Sequence, residues 1–229
     1  MLIIADNRIP DEAKQNLSKY GKLLLLETSG ITEKSISGHP DIFICNTGKK
    51  QIIAPNTPAE IKAALKKRNI SFEEGEKPVG MNYPDAAKYN AVIIYKTIIH
   101  RSDITDKKIL EECKDYNIIH VSQGFTRCSL LPLDGKHFMT SDEGIHKTLL
   151  QHGFTSLKVS VSGIILRGQP HGFFGGACGV CENKIFILGS LDHYCDKEKV
   201  ELFAAQTGFK IVELYDGPLF DGGGIFFIA

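Results

Sequence analysis

A closed, five-fold pseudo-symmetric α/β array of strand–strand–helix–strand (ββαβ) units is the architecture that this sequence predicts, and three observations predict it. Five helical segments each end at a Gly or Asn and run straight into an apolar, strand-like stretch. Strand–turn–strand patterns precede the later helices. A spare apolar strand at the C-terminus matches a strand that the first unit lacks, and pairing the two would hide both sheet edges. A linear α/β sheet is the alternative arrangement of the same elements.

Taken in order, the first unit offers the strand LIIAD and then a helix over Pro10–Tyr20, where Pro followed by two acids suits a first turn. That helix stops before Gly21, and KLLLLE follows from Lys22. The second unit reads IFICN-TGKK-QIIAP; Thr57-Pro58 then opens PAEIKAALKKR, which stops before Asn69 and leads into ISF from Ile70. The third, AKYNAVIIYKTIIH, is a less regular strand pair. Thr105 caps its helix, DKKILEECKDY, which stops before Asn117 and leads into IIHVS from Ile118. The fourth, CSLLPL-DG-KHFMTS, turns at Asp134-Gly135, a two-residue hairpin signal; Ser141-Asp142 opens EGIHKTLLQH, ending at Gly153 before FTSLKV. The fifth, ACGVC-EN-KIFILGS, turns less typically at Glu182-Asn183; Asp196 opens KEKVELFAAQT, ending at Gly208 before FKIVEL. The C-terminal GGIFFIA is the spare strand. Five units in 229 residues give a repeat of about 46, a spacing that signals an array. The chain therefore divides as one domain, 1–229, with units near 217–229 plus 1–34, 35–78, 79–121, 122–166 and 167–216.

Lys+Arg and Asp+Glu both number 27, so the formal net charge is zero, which argues against nucleic-acid binding through a strong basic field. Hydrophobic residues at 42% and charged residues at 24% describe a folded chain and exclude a disordered one. The longest apolar run, Leu23–Leu26, is too short to span a bilayer. Met1–Ala5 has no basic segment before it and runs into Asp6, Asn7 and Arg8, unlike a secretory leader. A cytoplasmic protein with reduced, mostly buried thiols is the expectation for its six cysteines.

The five-unit ring, together with Gly38-His39-Pro40-Asp41, Gln123-Gly124-Phe125-Thr126-Arg127-Cys128-Ser129, Gly172-Phe173-Phe174-Gly175-Gly176-Ala177 and Asp221-Gly222-Gly223-Gly224-Ile225, resembles the pentein superfamily. This is the guanidino-group modifying α/β-propeller fold of dimethylargininases, arginine and agmatine deiminases and amidinotransferases. The motifs resemble an uncharacterised bacterial branch of it. The resemblance implies a central polar pocket and, in the enzymes, a C-terminal Cys nucleophile, a His acid/base and carboxylates that hold the guanidinium. Here no Cys follows Cys195, and the closing strand reads Gly223-Gly224-Ile225-Phe226-Phe227, so the usual covalent route is closed. A non-enzymatic ribosome anti-association factor shares the fold, and a binding or assembly factor of that type is the alternative function.

With the first strand of each unit lining the pocket, as the resemblance implies, His39 and Asp41 lie two apart at a strand start and face one side. They would orient an imidazole or hold a cation; a turn in which Asp41 caps local amides is the plainer reading. Asp85 takes the corresponding place in the next unit, and paired carboxylates suit a guanidinium or amine. Gln123, Arg127 and Cys128 open the fourth unit: Arg127 would bind an anionic group or pair with Asp41 or Asp85, and Cys128 is either a thiol activated by Arg127 or a small buried hydrophobe. By rank order His171 falls in the unit where the pentein hydrolases carry their catalytic His. The catalytic candidates are His171, His39 and Cys128; the ligand-binding candidates are Asp41, Asp85, Gln123, Arg127 and Asp221. Cys178 and Cys181 have metal-ligand spacing but only His193 and Cys195 to complete a set, so no metal and no cofactor are expected. The glycines at 175–176 and 222–224 are read as letting backbones approach closely. The sequence thus points to a pocket for a small guanidino or amino-acid-like molecule, with a divergent hydrolase or transferase, or an enzyme using Cys128 or Cys178 as its thiol, as further forms of that reading.

Overall fold

In the computed structural model, which describes residues 1–228, the same local series of elements recurs along the chain. It opens with β1 (Leu2–Asp6), α1 (Asp11–Ser18) and β2 (Lys22–Leu26). The second unit has a single helical turn, α2 (Pro40–Phe43), then β3 (Ile44–Asn46), β4 (Gln51–Ile53), α3 (Ala59–Lys67) and β5 (Phe72–Glu74). The third has β6 (Val92–Ile94), β7 (Thr97–His100), α4 (Lys107–Glu112) and β8 (Asn117–His120). The fourth begins with a second helical turn, α5 (Thr126–Ser129), followed by β9 (Leu130–Pro132), β10 (His137–Thr140), α6 (Glu143–Gln151) and β11 (Thr155–Lys158). After β12 (Ile164–Ile165) and a 3-10 turn at Gly175–Ala177 come β13 (Cys178–Cys181), β14 (Lys184–Ile187), α7 (Lys197–Gln206) and β15 (Lys210–Glu213). β16 (Leu219–Phe220) and β17 (Phe226–Ile228) close the chain.

Five three-stranded mixed sheets result, ordered β17-β1-β2, β3-β4-β5, β6-β7-β8, β9-β10-β11 and β13-β14-β15. In each the middle strand pairs antiparallel with one neighbour and parallel with the strand that returns after the helix. The C-terminal strand supplies the missing member of the first sheet: Leu2, Ile3 and Ile4 oppose Ile228, Phe227 and Phe226. Where strands of different sheets approach, β3 lies beside β6, β6 beside β9, β9 beside β13 and β13 beside β17. β12 and β16 form a separate parallel pair that the sequence did not announce.

One buried stripe per helix seats the helices. α1 buries Ala13 and Leu17, α3 Ile61 and Leu65, α6 Ile145 and Leu149, and α7 Val200 and Ala204, each pair one helical turn apart. Asn69, Gly153 and Gly208 end their helices in the left-handed conformation, at φ 55°, 79° and 80°. Gly21 serves differently: a Cβ there would lie 2.9 Å from the Met1 carbonyl, so it lets the chain leaving α1 enter β2 close beside β1.

Several expectations need correction. α4 ends at Glu112, ahead of Asn117, which is the first residue of β8. Its cap is Asp106, not Thr105: the Asp106 carboxylate accepts from the Lys108 amide at 2.9 Å and also from the Glu76 and Lys77 amides, tying the preceding loop to the helix. β5 begins at Phe72 because its parallel register sets Phe72 opposite Gln51. Most important for the site, the segments expected to open strands at Ile42 and Cys128 are helical turns, and the strands start after them.

His100, at the end of β7, is fully buried, with Nδ1 2.7 Å from Thr105 Oγ1 and Nε2 2.9 Å from the Gly124 carbonyl. Burial pushes its imidazole down to about 4. The unfolded chain takes up this proton near its ordinary value, so the stability His100 contributes is complete above that value and is lost as the pH falls towards 4. Between pH 7 and pH 5 that loss is about 2 kcal/mol. Urea denaturation of His100→Gln and the native protein at both pH values should show a smaller acid loss in the variant by this amount; equal losses would remove His100 as the cause.

Candidate functional site

The helical turns concentrate polar groups at one point. His39 stands at the start of α2 and Asp41 inside it; Cys128 lies in α5, Asp221 directly after β16 and Asp6 at the end of β1. All five are at most 3% exposed. The Cys128 thiol donates to Asp41 Oδ2 at 2.8 Å. His39 Nδ1 is 4.0 Å from Asp221 Oδ1, and His39 Nε2 is 3.9 Å from Asp6 Oδ2. Both ring nitrogens of His39, and Asp41 Oδ1, are buried with no hydrogen-bond partner among the described residues. Such atoms are costly to bury alone and mark a place where a partner completes the network.

The backbone around the cluster is built for close approach. Gly223, at φ 69°, passes so near His39 that a side chain there would run into the His39 Cβ, while its carbonyl accepts from the Asp41 amide at 3.3 Å. Asp221 is held by the Gly223 and Phe173 amides at 3.0 and 2.8 Å. Asn90 ties two turns together. Its Oδ1 accepts from the Arg127 and Cys128 amides at 2.7 and 3.2 Å, and its Nδ2 donates to the Asp41 carbonyl at 3.1 Å.

Three carboxylates meet here. Asp6 is neutralised by Arg8, whose Nε donates to it at 2.9 Å. Asp41 has no such direct cation among the described residues, and burial pushes its carboxyl up to about 6, against the lowering pull of His39. Burial likewise raises Asp221, again opposed by His39. Burial and the neighbouring Asp41 carboxylate push the Cys128 thiol well up, so near neutrality it stays protonated as the donor to Asp41. The cluster is therefore short of positive charge.

Above it opens a cleft of about 420 Å³, with His39, Cys128 and Asp221 on its floor. Tyr83, Phe125 and Phe173 contribute apolar walls, and Gln123, Gln169 and His171 polar groups. His171 is exposed, with Nδ1 3.0 Å from the Gly172 carbonyl and its ring edge-on to Phe173. Gln123 folds back, its Oε1 accepting from the Phe125 amide at 3.0 Å.

Two expected ligand residues are elsewhere. Asp85 is an exposed side chain paired with Lys88 in a surface turn and lines no part of the cleft. Arg127 points away from it: its guanidinium donates to the Gly175 and Cys178 carbonyls at 2.9 and 3.3 Å and lies over the Phe226 ring. The cause is the helical turn, where consecutive residues are rotated by about 100°, so Cys128 faces Asp41 while Arg127 faces the opposite cavity. For the same reason His39 and Asp41 converge through a turn and not through strand alternation, and Asp41 makes a thiol contact in place of a local cap. Cys178 is a buried strand residue, Cys181 contacts Met1, and His193 pairs with Asp216, so these do not form a metal set. Asp6 and Asn90 were missed. A charge ending the apolar run LIIAD was a signal for Asp6; nothing in AKYNAV distinguished Asn90.

Residues 4–226 match the model of DUF6873, described as a family of unknown function. No curated protein matches the chain. Among solved structures it is similar to DDAH from Pseudomonas aeruginosa complexed with citrulline, at 10% identity and a TM-score of 0.58, covering 93% of this chain and 91% of that one. It is similar to a saxitoxin-pathway amidinotransferase from Microseira wollei, at 12% identity and a TM-score of 0.54, covering 93% and 87%. It is also similar to agmatine deiminase from C. jejuni, at 12% identity and a TM-score of 0.56, covering 93% and 74%. These likenesses show that the chain shares its mixed α/β fold with these proteins, and at such identities they speak for the fold alone.

Replacing Asn90 by Ala leaves the buried Cys128 amide and the Asp41 carbonyl without their side-chain partner. Asn90→Ala should cost about 3 kcal/mol in urea denaturation; a loss under about 1 kcal/mol would show that this side chain does not hold the two turns.

Proposed function

We infer that the chain, which belongs to the DUF6873 family of unknown function, binds a small guanidino or amino-acid-like molecule in the cleft above His39, Cys128 and Asp221. One observation carries this reading: two buried carboxylates, Asp221 on the cleft floor and Asp41 against Cys128, stand without enough positive charge, and Asp41 keeps an oxygen with no donor among the described residues. A planar cation with several N–H donors answers that deficit. The apolar walls suit an aliphatic stem, and Gln123, Gln169 and His171 would receive its far end.

Similarity to DDAH, an amidinotransferase and agmatine deiminase supports a related guanidino chemistry. In our reading the five like sheets close into a five-fold propeller around this cleft, and β17 seals it by pairing with β1. Binding is favoured over thiol chemistry, because Cys128 is held as a protonated donor and no Cys follows Cys195. Six free cysteines fit a reducing, cytoplasmic setting.

Calorimetry in chelator-treated buffer at pH 7 with agmatine, arginine and methylated arginines tests the reading. Asp41→Asn keeps the shape and removes the charge, and it should weaken a guanidino ligand by about 2 kcal/mol, roughly thirtyfold. Asp85→Asn should bind within about twofold of native, since an exposed pair outside the cleft contributes little. Silence across the panel, or equal binding by native and Asp41→Asn proteins, would refute it.

A further inference from the structure

We propose that His39, Asp41 and Cys128 form a site for one divalent transition-metal ion of the zinc type, with a further position open to the cleft. One ligand atom from each residue lies within 4.8 Å of the others, and all three residues are buried. A tetrahedral zinc ion with ligands at 2.0–2.3 Å needs ligand atoms about 3.3–3.8 Å apart. Cys128 Sγ and Asp41 Oδ2 are already 2.8 Å apart, so small side-chain rotations span the difference.

The second observation is the unmet bonding of these atoms. Both His39 nitrogens and Asp41 Oδ1 are buried without partners among the described residues, and an ion would satisfy one from each side chain together. The surroundings match an outer shell. Whichever nitrogen of His39 coordinates, the other faces a carboxylate, Asp221 or Asp6, at 4.0 or 3.9 Å. Asn90 Nδ2, 3.6 Å from Cys128 Sγ, is placed to steady the sulfur. Nitrogen, oxygen and sulfur donors together select zinc or cobalt over calcium or magnesium, which take oxygen.

Charge and protons balance. As the Sγ–metal bond forms, the thiol proton now donated to Asp41 leaves to solvent, and thiolate plus carboxylate neutralise the dication. Because His39 and Cys128 line the cleft, the remaining position opens towards it and takes a water molecule or a donor atom of a cleft ligand. The site does not depend on the guanidino reading. Both draw on Asp41, so the metal is tested without any organic ligand.

Chelator-stripped full-length protein is titrated with Co²⁺ and followed by absorption. The native protein should take one equivalent, show a thiolate-to-cobalt charge-transfer band, and lose it when Zn²⁺ is added. Cys128→Ser should lose the band, and Asp41→Asn and His39→Gln should each weaken binding by at least about tenfold. Cys195→Ser, an exposed thiol away from the cluster, should leave the titration unchanged. Should the variants fold poorly, X-ray absorption of the zinc-loaded native protein decides alone: one sulfur with nitrogen and oxygen neighbours supports the site. No band in the native protein, a band that survives in Cys128→Ser, or a zinc shell with no sulfur or with several would overturn it.

Discussion

Asp6, Asp41, Asp221 and the imidazole of His39 are all withdrawn from water at one point, and much of the chain around them answers that constraint. Buried charge is tolerated only where it is paired, hydrogen-bonded or protonated. Asp6 pairs with Arg8, Asp221 accepts from two backbone amides, and Asp41 accepts a hydrogen bond from the Cys128 thiol while its own carboxyl is pushed up to about 6. The glycine-rich loop after Asp221 exists on the same account, since only a residue without Cβ can pass His39 so closely at φ 69°.

The repeated sheets provide the frame that makes this concentration possible. Four of the helices, α1, α3, α6 and α7, are seated by a single i, i+4 pair, and the three-stranded sheets are short, so the residues before the first strands are free to become helical turns. Those turns bring His39, Asp41 and Cys128 together from segments 87 residues apart in sequence. Asn90, from a third unit, fixes their relative position through three hydrogen bonds to backbone. Tyr83, Phe125 and Phe173 wall the cleft above that floor.

The likeness to DDAH, the amidinotransferase and agmatine deiminase covers 93% of the chain in each of the three comparisons. With glycine, isoleucine and phenylalanine on the closing strand, the polar weight shifts to the second and fourth units, where one imidazole, one carboxylate and one thiol face each other. A fold shared at such low identity supports the architecture, while the site has to be argued from its own side chains.

Local chemistry was enough for the repeat. The helices over residues 11–18, 59–67, 143–151 and 197–206 fall where their start and stop residues place them, and the spare strand GGIFFIA could be matched to the gap before β1 because edge strands need partners. His39, Asp41, Cys128 and Asp221 were also legible, as polar residues set among glycines and apolar runs. What only the tertiary structure decided was direction. A single turn of helix at residues 126–129 sends Arg127 to the Gly175 and Cys178 carbonyls and Cys128 to Asp41, a division that strand alternation does not foretell. Asp85, expected from the sequence as the counterpart of Asp41, sits in a surface turn with Lys88, and Asn90, unremarkable in sequence, becomes the tie between units. Periodicity and capping are properties of neighbours along the chain. Whether a carboxylate meets water or another unit depends on segments far apart, and only packing sets that.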